Sequence, residues 1–199
     1  MNSELFLLFP TPVYFSNIGV DFGVSIDREF DTVLGGFISK KQNYLLENKK
    51  LGKEIDLHIE NHIRNNLHLN KEVKLKHQCS WILLHNKGGY SPKHYHNNSW
   101  LSGIYYVDVN EESGDLELQD SPPYSWTCGN MDPTDQIEEF NMVNATRMTF
   151  RPKPGDVYLF PSHLNHLSHF NKSDKQRVCI SFNYTLCGKW GQTTGYVRT

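Results

Sequence analysis

Alanine is almost missing: Ala145 is the single one in 199 residues. A chain that poor in the best helix former is not a helix bundle. Cysteine is sparse and scattered, with four residues at 79, 128, 179 and 187 and no C-x-x-C pair. That excludes a zinc ribbon and gives no disulfide framework. An excess of charge of either sign is also lacking. Lys and Arg number 20 against 22 Asp and Glu, a net charge of −2, so bulk charge does not hold this chain to duplex nucleic acid. The apolar run LFLLF at 5–9 is too short for a signal peptide or a membrane span. The expectation is a soluble, cytoplasmic protein in a reducing compartment, where the four Asn-x-Ser/Thr triplets carry no glycan.

What is present is aromatic bulk: ten Tyr, eleven Phe and four Trp. With so little alanine, this composition favours sheet. Length and texture predict a single domain over 1–199, with an N-terminal strand and helices to residue 76 and a β-rich core from 77. Two prolines make 6–15 an edge or bent strand. A short helix is expected over 22–34. Leu51, Ile55, Ile59, Ile63 and Leu67 recur every four residues and predict an amphipathic helix over 45–68. From about Leu75 the period becomes two. Strands are expected at 78–85, 101–109, 114–120, 148–152, 155–161 and 177–186, with a long loop over 121–140. Short strands between Gly and Pro turns read as a sandwich or barrel.

Ten histidines is a high count, and they cluster in KHYHNNS at 93–99 and FPSHLNHLSHFN at 160–171. At strand spacing His94 and His96 share a face, and two imidazoles bind a divalent metal if a third ligand converges. His163, His166 and His169 are the candidates. Arg177 follows His166 by eleven positions and is expected deep on the neighbouring antiparallel strand, where a buried cation needs an anion such as a ligand carboxylate. His58 and His62 lie four apart on the predicted helix as a half-exposed face. His85, before the turn at 88–89, is placed at a pocket mouth, and Cys179 reads as a small core residue.

These motifs carry a resemblance. LFPTPV near the start, Trp81, His94-Tyr-His96-Asn-Asn-Ser, LSGIYYV at 101–107, FPSHLNH at 160–166 and RVCISFN at 177–183 stand in an order that resembles the Fe(II)/2-oxoglutarate-dependent oxygenases, in particular a small prokaryotic and phage-type branch with an HxH motif. The resemblance implies a mainly β fold, the double-stranded β-helix or cupin-like jelly roll, with N-terminal helices packed on it. It implies Fe(II) and the cosubstrate 2-oxoglutarate, with O2 and a small-molecule or side-chain substrate. His94 takes the first metal-binding position and His166 the distal one. Arg177 takes the residue that pairs with the far carboxylate of 2-oxoglutarate, Ser181 shares it, and Tyr106 matches a Tyr at the same end of the cosubstrate. The family's usual carboxylate is replaced by His96, so the triad becomes three neutral imidazoles and the site gains about one positive charge. A carboxylate entering from 114–120, Asp120 or Glu117, is the other source of a third ligand. Halogenase chemistry, which needs a small residue there, is not expected. The long loop, with Tyr124 and Trp126, is a candidate lid. Two rivals to a 2-oxoglutarate-dependent hydroxylase remain: a three-His cupin-type thiol dioxygenase, which uses no cosubstrate, and a non-enzymatic jelly-roll binding module.

Overall fold

The computed structural model describes residues 4, 10–119, 138–141, 144–190 and 197–198. In chain order the elements are β1 (Tyr14–Asn17), β2 (Phe30–Val33), β3 (Gly36–Ser39), α1 (Tyr44–Glu47), α2 (Lys49–Asn61) with a π turn (His62–Asn66), β4 (Lys74–His85), β5 (Ser91–His94), β6 (Leu101–Asp108), β7 (Leu116–Gln119), β8 (Arg147–Phe150), β9 (Asp156–Pro161), β10 (Asn165–Ser168) and β11 (Arg177–Cys187), then a short pair, β12 (Lys189–Trp190) and β13 (Val197–Arg198). A seven-stranded sheet runs β1-β9-β6-β11-β4-β3-β2 and a four-stranded sheet runs β5-β10-β7-β8. The strand pairs in both are antiparallel. The two sheets close over a shared core that joins Tyr106, Phe160 and Cys179 of the large sheet to Leu116 and Leu118 of the small one. This is the double-stranded β-helix.

The outer face of the large sheet takes the helices. Leu51, Ile55, Ile59 and Ile63 are buried against Ile82, Ile180 and Phe182. A spacing of four drifts around an α-helix with 3.6 residues per turn. The π turn, in which the Leu67 N–H reaches back to the His62 carbonyl at 3.0 Å, takes up part of that drift. Burial on both faces explains why β11 reads as one apolar run. Val178, Ile180 and Phe182 face the helices, whereas Arg177, Cys179 and Ser181 face the barrel interior.

Two expectations change. Residues 22–34 do not form a helix. They are irregular and then enter the β2–β3 hairpin, with Gly35 at φ +80 in its turn. Thr32, Val33 and Ile38 are β-branched, and pairing with β4 extends the large sheet. The N-terminal strands join the large sheet, since β1 also pairs with β9. His62 is not half-exposed: it is 2% exposed, and burial holds its pKa below the ordinary value. The 120–137 part of the long loop, with Asp120, Tyr124 and Trp126, lies outside the described residues. Among the described residues no helix is long and apolar enough to cross a membrane.

Gly103 on β6 shows how tightly side chains from the flanking strands β11 and β9 close over it. A Cβ there would overlap the Phe182 ring and come within 2.8 Å of Leu159 Cδ2. Gly103→Ala is predicted to lower the unfolding free energy by about 1–3 kcal/mol through overpacking. Urea denaturation checks this, and an unchanged midpoint would show that the packing over Gly103 has slack.

Candidate active site

One cavity of about 280 Å³ opens into the barrel, and His94, His96 and His166 line it. The register explains the meeting of two of them, because His94 on β5 is paired directly with His166 on β10. His96 arrives differently from the expectation. Strand β5 stops at His94, and His96 is placed by its own backbone N–H, which donates to the Ser162 carbonyl at 2.9 Å. Its ring stands edge-on to Trp81, with centroids 5.7 Å apart. One nitrogen from each of the three imidazoles lies within 4.8 Å of the others.

Backbone carbonyls set two of the tautomers. His94 Nδ1–H donates to the Pro92 carbonyl at 2.7 Å, and His166 Nδ1–H donates to the Leu164 carbonyl at 3.0 Å. Each Nε2 then keeps its lone pair, as a metal ligand must. Burial, with His94 adding to it, pushes the His166 pKa down to about 3 and the His96 pKa to about 4. His96 and His166 are therefore neutral donors at neutral pH, suited with His94 to a divalent cation.

The other candidates go elsewhere. His163 is exposed in the turn after β9. His169 Nε2 and Glu117 Oε2 are 2.8 Å apart. Burial works to raise the Glu117 carboxyl, yet hydrogen bonds from Gln119 and His169 hold it below its ordinary value. Glu117 is thus engaged away from the trio, and the alternative Asp120 lies outside the described residues.

Arg177 is 1% exposed, but its position corrects the expected one. Strand β11 is not the neighbour of β10. The two belong to opposite sheets, and Arg177 reaches across the barrel. Its Nη1 donates to the carbonyls of Ser113 at 2.7 Å and His169 at 3.0 Å, its Nη2 to Ser168 Oγ at 2.8 Å, and its Nε makes a long contact of 3.4 Å to His85 Nδ1. Gly114 makes this cage possible. Its φ is +85, and a Cβ there would strike the carbonyls of His169 and Phe170. Among the described residues no carboxylate pairs with Arg177, so a whole positive charge sits buried against carbonyl and hydroxyl dipoles. Tyr106 adds an orphan: it is 1% exposed, and among the described residues its hydroxyl has no hydrogen-bond partner. Burial raises its pKa well above the ordinary value. Arg177 and Tyr106 do not line the cavity, whereas Ser181 does, together with Ser168 and His85, to which Arg177 is bonded.

Sequence reasoning placed His85 at a pocket mouth and gave it no role, and it did not single out Ser91 or Ser168. His85 is 1% exposed and lines the cavity. Asn165, His166, Leu167 and Ser168 alternate between half-buried and buried, but the buried pair is His and Ser, so no apolar alternation in the sequence marks β10 as a strand.

Comparison with known proteins accords with this geometry. Residues 79–183, more than half of the chain, match the family model described as "Putative 2OG-Fe(II) oxygenase". The chain belongs to the 2OG-Fe(II) oxygenases. No curated protein matches the sequence. A 2OG-Fe(II) oxygenase-family oxidoreductase from Burkholderia pseudomallei superposes with a TM-score of 0.55 at 9% identity, over 80% of this chain and 72% of that one. The α-ketoglutarate-dependent epimerase SnoN from nogalamycin biosynthesis gives 0.56 at 14%, over 80% and 68%. HygX from Streptomyces hygroscopicus, solved with nickel and 2-oxoglutarate, gives 0.52 at 12%, over 80% and 74%. At these identities the likeness shows the fold. The cofactors of this oxygenase family are Fe(II) and 2-oxoglutarate. The residues present fit both: three neutral imidazoles offer a metal site, and a buried cation without a carboxylate partner and an orphan hydroxyl suit an anion.

The buried imidazole of His85 has a measurable consequence. Burial first, and Arg177 second, push its pKa down to about 3, against a small opposing effect of the Tyr90 backbone. A folded pKa below the unfolded value of about 6.5 stabilises the protein above that pH and loses the stabilisation as pH falls towards 3. The unfolding free energy of the metal-free protein is predicted to fall between pH 6 and 5. His85→Gln, which cannot titrate, removes up to about 1.4 kcal/mol per pH unit of that slope. Urea titrations of parent and variant check this, and equal slopes would mean that His85 is protonated in the fold.

Proposed function

We propose that this oxygenase is a hydroxylase that couples 2-oxoglutarate decarboxylation to oxidation of a substrate C–H. In this reading His94, His96 and His166 hold Fe(II), Arg177 and Ser181 bind the far carboxylate of 2-oxoglutarate, and Tyr106 supports the same end. The observation that carries it is the pairing of two features around one cavity. Three neutral imidazoles converge in its wall, and Ser168 and His85, also in that wall, are bonded to a buried guanidinium that lacks an anion.

Iron and 2-oxoglutarate, when bound, supply the oxidising chemistry, in which O2 and the cosubstrate give CO2, succinate and an oxygen atom for the substrate. The chain's own residues do the rest. The Pro92 and Leu164 carbonyls fix the tautomers that aim the His94 and His166 lone pairs. Phe160 packs on the His166 ring, with centroids 4.8 Å apart, and Trp81 stands against His96. These rings keep water from the imidazoles. With four of its five N–H groups engaged by Ser113, His169, Ser168 and His85, the guanidinium keeps one Nη2–H and its full charge for a carboxylate. The substrate is a small molecule or a protein side chain.

The all-imidazole set also favours a second reading, a thiol dioxygenase that needs no cosubstrate. Under that reading Arg177 has no anion to meet unless the substrate brings one.

Calorimetric titration of Mn(II), then of 2-oxoglutarate, under anaerobic conditions separates the two. His94→Ala and His166→Ala are predicted to abolish tight metal binding. Arg177→Ala is predicted to leave metal affinity intact and to weaken 2-oxoglutarate by about 3–5 kcal/mol, a few hundredfold or more. If the parent binds Mn(II) but no 2-oxoglutarate, the thiol dioxygenase replaces the hydroxylase.

A further inference from the structure

Part of the cavity wall is built from a closed ring of hydrogen bonds. Arg177 Nη2 donates to Ser168 Oγ at 2.8 Å, and the Ser91 backbone N–H donates to the same oxygen at 3.0 Å. Arg177 Nε points at His85 Nδ1 at 3.4 Å, and His85 Nε2 lies 3.2 Å from Ser91 Oγ. A guanidinium only donates, so His85 Nδ1 carries no proton and the neutral ring must be protonated at Nε2. The Ser91 oxygen therefore faces an N–H and cannot donate to it. Ser168 Oγ already accepts twice. Among the described residues neither hydroxyl proton has an acceptor, and both serines line the cavity. Two spare O–H donors bonded into a ring with a buried cation are arranged for an anion.

The ring is held from outside. Asn171, fully buried, donates from Nδ2 to the His85 carbonyl at 2.9 Å. Gly36 of the β2–β3 hairpin lies so close that a Cβ on it would come within 2.9 Å of His85 Cδ2 and 3.3 Å of Nε2. The distance from the imidazole trio also fits. His94 pairs with His166 and Ser91 with Ser168, two to three residues along the same strands. That is about 7–10 Å of strand, the reach of a short dicarboxylate.

We infer that Ser91 and Ser168 donate, beside Arg177, to the far carboxylate of the cosubstrate, and that His85 is a positioning residue that makes this end of the cavity select a dicarboxylate. The inference rests on the 2-oxoglutarate reading above and adds three residues to it. Ser91 and Ser168 touch the carboxylate. His85 acts through them, by denying the Ser91 proton an internal acceptor and by aligning the guanidinium.

The test compares 2-oxoglutarate with 2-oxovalerate, which has a methyl group in place of the far carboxylate. Each is titrated calorimetrically into anaerobic Mn(II)-loaded protein, and the readout is the ratio of the two affinities. The parent is expected to prefer 2-oxoglutarate strongly. Ser91→Ala, Ser168→Ala and His85→Ala are each expected to cut that ratio about tenfold, the effect of losing one hydrogen bond to a charged group. Their affinities for 2-oxovalerate and Mn(II) should match the parent's. His85→Gln, whose amide accepts from Arg177 and donates towards Ser91, should restore the ratio, which separates alignment from a general loss of packing. A parent preference that all three alanine variants preserve overturns the inference and leaves the cosubstrate reading standing. A parent that does not distinguish the two acids overturns the cosubstrate reading itself, and the inference with it.

Discussion

The site depends on one buried charge. Arg177 reaches from β11 across the barrel to the Ser113–Gly114 turn, to the His169 carbonyl, to Ser168 on the opposite sheet and to His85. A cation taken out of water without a counter-ion costs several kcal/mol, and carbonyl and hydroxyl dipoles offset only part of that cost. The same contacts tie the two sheets together at the end of the barrel where the β10–β11 loop crosses. In the proposed reading, a carboxylate entering the cavity completes the pairing that the described residues leave open. In that reading binding energy and pre-organisation come from one side chain, whose partners fix its position before the anion arrives.

The three-imidazole set changes the electrostatics of the other end. A carboxylate ligand would remove one charge from Fe(II), and neutral imidazoles remove none. If the three histidines hold Fe(II) and Arg177 meets 2-oxoglutarate as proposed, two negative charges from the cosubstrate and one positive from Arg177 leave the filled site a net charge of about +1 rather than zero. Such a site holds an anionic chelator more firmly and is more sensitive to protonation of its ligands. Burial answers the second problem, since it keeps His96 and His166 neutral well below physiological pH.

Much of this was readable in the sequence where periodicity had length to express itself. The stripe from Leu51 to Ile63 and the long strands β4, β6, β9 and β11 followed from spacing alone. The strands β2, β3, β5 and β10 have four residues each, too few for alternation to outweigh other patterns, and they bring the hairpin, His94 and His166 to the cavity. His94, His96 and His166 were legible as a cluster with several possible third members. Only the β5–β10 register and the Ser162 carbonyl select His166 and turn His96 inward, and both are long-range contacts that local sequence does not encode. Arg177 was legible as a buried cation, but its strand was misplaced, because a separation of eleven residues does not tell a neighbouring strand from one in the opposite sheet. The ring through His85, Ser91 and Ser168 had no local signal, since it closes only when Ser168 and Arg177, far along the chain, reach the consecutive strands that carry His85 and Ser91.

The central claim is that one cavity holds metal on three imidazoles and the far carboxylate of 2-oxoglutarate on Arg177. The most direct measurement is a crystal structure grown anaerobically with Mn(II) and 2-oxoglutarate. The predicted result is Mn(II) on His94, His96 and His166, with the cosubstrate in the cavity and its far carboxylate against the Arg177 guanidinium. Mn(II) bound by a carboxylate in place of His96, or a cosubstrate carboxylate lying away from Arg177, would contradict it.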